Sequence, residues 1–202
     1  LKEEQIRAEA ARLRVLQERL EDELRSNPGL APYSSQIRLD MTRDGLRIQI
    51  ADELNRPMFD SGSAAVKPHM QELLRAIGSV LAEVPNRLTL EGHTDATPFP
   101  GGERGYSNWE LSADRANASR RELVAGGLTE DRVLRVQGLA ASQLMKREAP
   151  ADAANRRISI VVMNREAEDH VFRPQVDAGE TGEPSIKPEK PTLVASQPMT
   201  GR

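Results

Sequence analysis

A carboxylate and a guanidinium stand at neighbouring structural ends in this chain of 202 residues. The string Gly92-His93-Thr94-Asp95 falls where an alternating strand runs out into a loop. The string Ser107-Asn108-Trp109-Glu110-Leu111-Ser112-Ala113-Asp114-Arg115-Ala116 opens a helix, and a Pro- and Gly-rich loop separates the two. A carboxylate accepts hydrogen bonds from an ammonium group, and a guanidinium forks onto a carboxylate. In a βαβ unit the loop after a strand and the start of the next helix share one edge of the sheet, where ligands bind. Asp95 and Arg115 could therefore grip a small zwitterion at both of its charges. Equally, they could pair with each other, an arrangement that stabilises little at a surface. His93 alternates outward on its strand, so it either lines such a pocket or faces water.

Other chemistry finds less support. His93, Asp95 and Ser107 include the residue types of a hydrolytic triad, but there is no Gly-x-Ser-x-Gly elbow and Ser107 already serves as a helix cap. His69, His93 and His170 are too scattered in sequence for a zinc set. Cysteine is absent, which excludes disulfides and thiolate metal sites. We expect no catalysis, no metal and no cofactor. The net charge of −3 offers no basic excess to displace counterions, so no nucleic-acid partner is expected.

The elements that must position these residues follow from periodicity. Residues 2–25 read as one helix, with Ile6, Leu13 and Leu20 seven apart, Leu16 and Leu24 beside them, and Asn27-Pro28-Gly29 as the stop. It either lies on its own domain or pairs with a second copy. Ile37, Leu39 and Met41 alternate into Asp44-Gly45, then Leu46, Ile48 and Ile50 continue, which predicts a hairpin. Residues 52–64 are a loop or a short helix. Met70, Leu73, Leu74, Ile77 and Leu81 predict a second helix behind Pro68, and Leu88, Leu90 and Gly92 the inner face of a strand. A third helix starts with the Ser107/Glu110 capping box and stops at Gly126-Gly127. Strands follow at Leu134–Val136 and Ile158–Val162.

The fold class is thus α+β, an α-β sandwich whose helices cover one face of a mixed sheet, preceded by a long N-terminal helix. Residues 1–29 form the helix and linker and 30–166 the domain. Residues 167–202, rich in Pro, Glu, Gly and Lys, are expected to form a disordered tail. No apolar stretch approaches the roughly 20 residues that cross a bilayer. The chain opens at Leu1 inside a helical pattern, so we read it as a piece of a longer protein.

Thr94-Asp95, then Leu111-Ser112-Ala113-Asp114-Arg115-Ala116, then Asn155-Arg156-Arg157 before the last strand resemble the motifs of the OmpA-like peptidoglycan-binding domain. Phe59-Asp60 and Val66-Lys67-Pro68 resemble that family's early segment. The resemblance spans roughly residues 37–163. Its flagellar-stator members are the most similar, in the long loop before Ser107 and in the N-terminal helix.

The resemblance implies a non-catalytic cell-wall anchor. Asp95 and Arg115 would grip the diaminopimelate residue of the peptidoglycan stem peptide by its amino and carboxylate groups. Thr94 would shape the strand end, Asn155 and Arg156 brace or line the pocket, and Arg120 stand at its rim or in an ion pair. Phe59 and Asp60 complete the candidate set. It also implies a homodimer in the periplasm, as part of a single-pass inner-membrane protein, and a MotA-like membrane channel subunit as partner through the missing N-terminal part. The alternative within the same fold is a wall-tethering domain of an outer-membrane protein or lipoprotein of the OmpA/Pal type.

Overall fold

The computed structural model describes residues 2–102 and 105–172. Alternation places Leu46, Ile48 and Ile50 on one face of strand β2 (Gly45–Ala51), and all three are fully buried. Strand β1 (Ile37–Thr42) pairs antiparallel with β2. The hairpin forms as expected, but Gly45 is the first paired residue of β2, opposite Thr42, rather than a turn residue. Its φ is +135°, and a Cβ there would stand 2.0 Å from the Val162 carbonyl oxygen, so no side chain fits.

Strand β5 (Arg157–Met163) occupies the centre. It pairs antiparallel with β2 (Ile48 opposite Ile160) and with β3 (Leu88–His93; Leu90 opposite Ile160). Strand β4 (Val133–Gly138) runs parallel to β3, giving the order β1-β2-β5-β3-β4. A parallel neighbour requires a crossover, which helix α3 (Asn108–Ala125) provides.

Helices α1 (Lys2–Ser26), α2 (Pro68–Leu81) and α3 share one core with the inner face of the sheet. From α1 it takes Leu13, Leu16, Leu20 and Leu24, a stripe at helical spacing. Ile6, in register with that stripe, is instead 51% exposed, because residues 2–8 lie exposed beyond the part of α1 that packs on the domain. Residues 52–64 form an irregular loop, closed by isolated bridges between Glu53 and Arg56 and between Phe59 and Val66.

The expected tail needs a correction at its start. Helix α4 (Arg165–Phe172) covers residues read as disordered from 167, and it carries His170. Asn164 caps it through a bond from the Ala167 N–H at 2.9 Å, and Glu168 reaches Arg87 at 3.3 Å. The remainder of that tail, 173–202, lies outside the described residues. Among the described residues no helix is long and apolar enough to cross a membrane.

Candidate functional site

Three neighbouring strands deliver charged residues to the same sheet edge. Asp52 follows β2, Thr94 and Asp95 follow β3, and Arg156 precedes β5, which runs antiparallel to both. The first turns of α3 close over this edge because Gly92 lacks a side chain. A Cβ at residue 92 would lie 1.9 Å from the Ser112 carbonyl oxygen. That contact sets Leu111 and Arg115 against the strand ends, around a cavity of about 730 Å³.

Asp95 and Arg115 both line the cavity, but they do not pair with each other. The Asp95 carboxylate accepts from Arg156 Nη1 at 2.7 Å and from the Thr97 N–H at 2.9 Å. Arg156 Nε donates to Asp52 at 2.8 Å, so one guanidinium bridges two carboxylates. Burial alone would lower the Arg156 pKa, but its hydrogen bonds to Asp52 and Asp95 outweigh that and raise it. The second Asp52 oxygen accepts the Met58 N–H at 2.8 Å.

Arg115 lacks a carboxylate partner among the described residues. Its Nε donates to the Ser63 carbonyl at 2.9 Å and Nη2 to the Asp60 carbonyl at 3.3 Å, while the guanidinium lies 5.0 Å from the Phe59 ring centroid. The residue is 7% exposed. Burial, and then the nearby charge of Arg156, lower its pKa against the opposing pull of Asp52 and Asp95. An arginine stays protonated under such a load, so the cavity holds a buried positive charge satisfied only by carbonyl oxygens.

The remaining candidates separate by place. Thr94 is buried in the cavity wall, where its Oγ1 has no hydrogen-bond partner. Phe59 lines the cavity beneath Arg115. Asn155 does not reach the cavity. It is fully buried, accepts the Lys146 N–H at 2.8 Å and donates to the Ala149 and Pro150 carbonyls at 2.9 and 3.2 Å. The Pro150 carbonyl in turn accepts the Ala96 N–H at 2.9 Å, so Asn155 braces the loop beside Asp95.

Arg120 takes the second of its two expected places: it does not line the cavity and pairs with Glu130, its Nη1 at 2.5 and 2.7 Å from the two carboxylate oxygens. Asp60 contributes its carbonyl, whereas its exposed carboxylate pairs with Lys67. His93 fits neither expectation. It is 3% exposed, outside the cavity, with Nε2 3.8 Å from Glu91 and Nδ1 without a partner.

Sequence reasoning passed over Asp52 as a site residue and took Lys67 only as part of the Val66-Lys67-Pro68 segment before the second helix, whereas both line the cavity. Asp52 carried a signal, since it continues the inward phase of Leu46, Ile48 and Ile50 with a carboxylate. Phe99 and Asn108 also line the cavity, from the long loop and the head of α3.

A carboxylate–guanidinium constellation at the edge of a mixed sheet, under the head of a crossover helix, defines the class of this domain. The chain belongs to the OmpA family, whose model matches residues 58–157. It is 49% identical over 187 residues to Motility protein B of Escherichia coli (strain K12), a match covering 93% of this chain and 60% of the relative. The chain thus spans about 60% of that protein's length. Among solved structures, a MotB-like protein from Desulfovibrio vulgaris matches with a TM-score of 0.64 at 19% identity, over 79% of this chain and 98% of that one. The cell wall anchor of the T6SS from Pseudomonas aeruginosa matches at 0.54 with 25% identity, over 76% and 96%.

Proposed function

We propose that this chain is the peptidoglycan-binding periplasmic region of a flagellar motor stator subunit, holding an ion-driven stator to the cell wall without catalysis. Its similarity to Motility protein B and to a cell wall anchor supports the role. The parent protein is a single-pass inner-membrane protein in this reading. Two copies act as a homodimer, and a MotA-like membrane channel subunit joins through the part upstream of Leu1.

One observation carries the ligand assignment. Arg115 presents a buried cation without a carboxylate beside an Asp52–Arg156–Asp95 triad that keeps one net negative charge. A zwitterionic amino-acid head complements both poles. The carboxylate of diaminopimelate meets Arg115, and its ammonium meets Asp95, whose oxygens have lone pairs beyond those used by Arg156 and Thr97. Thr94 Oγ1 supplies a further polar group in the wall.

Retention on purified sacculi tests this. Asp95→Asn keeps volume and removes the ammonium's counter-charge, and Arg115→Ala removes the carboxylate fork. Either should weaken binding by roughly 2–5 kcal/mol where the ligand charges are desolvated. Circular dichroism checks that both variants remain folded, and unchanged retention of the two would overturn the assignment.

A further inference from the structure

Helices α1, α2 and α3 pack on one face of the sheet, and the opposite face carries a second cavity of about 770 Å³. It shares no lining residue with the first. Its floor follows from strand register. Leu46 and Ile48 enter the core, so alternation turns Arg47 to the other face. Arg47 of β2 stands opposite Val161 of β5, Val161 opposite Thr89 of β3, and Thr89 opposite Arg135 of β4. All four line the cavity. With about 4.8 Å between neighbouring strands, the two arginine backbones lie roughly 14 Å apart. Extended arginine side chains bridge such a span, one from each side of the Val161–Thr89 floor. The β1–β2 turn adds Arg43 and Asp44 to the lining, and α4 adds Glu166 and His170.

The arginines lack counter-ions of their own. Among the described residues, Arg43, Arg47 and Arg135 make no ion pair and no side-chain hydrogen bond. Arg47 Nε is buried without a partner, an orphan donor of the kind that points to a ligand. Three carboxylates line the same cavity, so its total charge balances with His170 neutral, but none of them neutralises the row. Glu91 accepts from Gln137 Nε2 at 2.9 Å and lies 3.8 Å from His93 Nε2. Asp44 and Glu166 are exposed. These acids disfavour a polyanion or an anionic membrane and leave room for one small oxyanion. Guanidinium groups fork onto a phosphate or a carboxylate, and the Thr89 hydroxyl is a further donor between them.

We propose that Arg47 and Arg135, with Thr89 between them, bind a single oxyanion, a phosphate or a small carboxylate, on the sheet face opposite the core. This site stands independently of the stem-peptide reading of the first cavity.

Inorganic phosphate, titrated calorimetrically into the 202-residue chain at constant low ionic strength, should saturate one site with a dissociation constant of about 1 mM or below. Arg47→Gln and Arg135→Gln should each weaken it about tenfold, the scale of one charge-assisted hydrogen bond. Thr89→Val, which keeps the shape of the floor, should weaken it less. Circular dichroism checks the folds, and Arg135, being exposed, supplies a test even where Arg47→Gln disturbs the structure. Both arginine variants should keep wild-type retention on sacculi, since neither residue lines the first cavity. Acetate titrated in parallel separates the sources. Affinity equal to that of phosphate marks a carboxylate site, and affinity at least tenfold weaker marks a phosphate site. Absence of saturation by about 20 mM of either anion overturns the proposal. So does undiminished binding by the folded Arg135→Gln variant. Binding that survives in both arginine variants but is abolished by Arg115→Ala would place the anion in the first cavity and equally overturn it.

Discussion

Arg115 and Arg156 are the same residue type in one cavity, yet their surroundings give them different work. Arg156 is spent inside the protein, cross-linking two strand ends through Asp52 and Asp95, and Arg115 keeps its charge for the cavity. Thr94-Asp95 and Arg115 were legible because a strand exit and a helix head meet at one sheet edge in any βαβ unit. The true partner of Asp95 was not. Arg156 lies 61 residues from Asp95 and 104 from Asp52, separations that no local spacing rule reaches. Arg120 takes the ion-pair alternative rather than the rim for a geometric reason, since five residues turn a helix by about 140° from Arg115. His93 yields a prediction of its own. Burial, and then the charge of Arg157, hold its pKa below the ordinary 6.5 against the pull of Glu91, with Arg47 also opposing protonation. The unfolded chain therefore binds the proton more readily than the folded one. The resulting stability is complete above about pH 6.5 and is lost as the pH falls from there through the lowered folded-state value. His69 shifts the same way, burial again the leading cause. Melting temperature should thus drop between pH 7.5 and 5.5, and His93→Gln should reduce that drop. An unchanged slope in the variant would assign the effect elsewhere.

Among the elements, α1 was the most readable in period and the least in extent. Leucines at positions 13, 16, 20 and 24 define its buried face, but a heptad pattern carries no information about where the partner surface stops, and Ile6 lies beyond it. The hairpin, both core helices and the parallel crossover were readable from alternation, capping and glycine stops. α4 was missed because a short helix with no buried residue leaves no apolar period to read. Since α1 meets the core with one stripe, we expect it to detach without unfolding the sheet. Leu13→Asn and Leu20→Asn should each cost about 2–4 kcal/mol through lost apolar burial and an unsatisfied amide. Amide exchange should accelerate in α1 first, while retention on sacculi persists. Loss of wall binding in a variant whose β-strand amides stay protected would show that α1 is part of the site. As a helix α1 spans about 38 Å, whereas extended it would reach roughly 80 Å, so its release would lengthen the tether of the proposed anchor.

For the whole molecule, the proposed dimer would let two cavities hold one wall, converting modest single-site binding into avidity. Sedimentation at tens of micromolar should reveal it, and a strict monomer there would confine dimerisation to membrane-held copies. An anchor must also bear load, and the arrangement of the three strand ends decides how it does so. Asp52, Asp95 and Arg156 are ends of β2, β3 and β5, the interior strands, all on one edge of the sheet. A ligand held there and pulled away from that edge draws along the strand axes. Every rung of the β2–β5 and β5–β3 ladders is then sheared together, rather than opened one at a time as an edge strand would be peeled. The edge strands β1 and β4 bear no proposed contact with the charges of the ligand. The grip is thus built into the part of the sheet with the greatest mechanical resistance, which is where a tether under torque has to end.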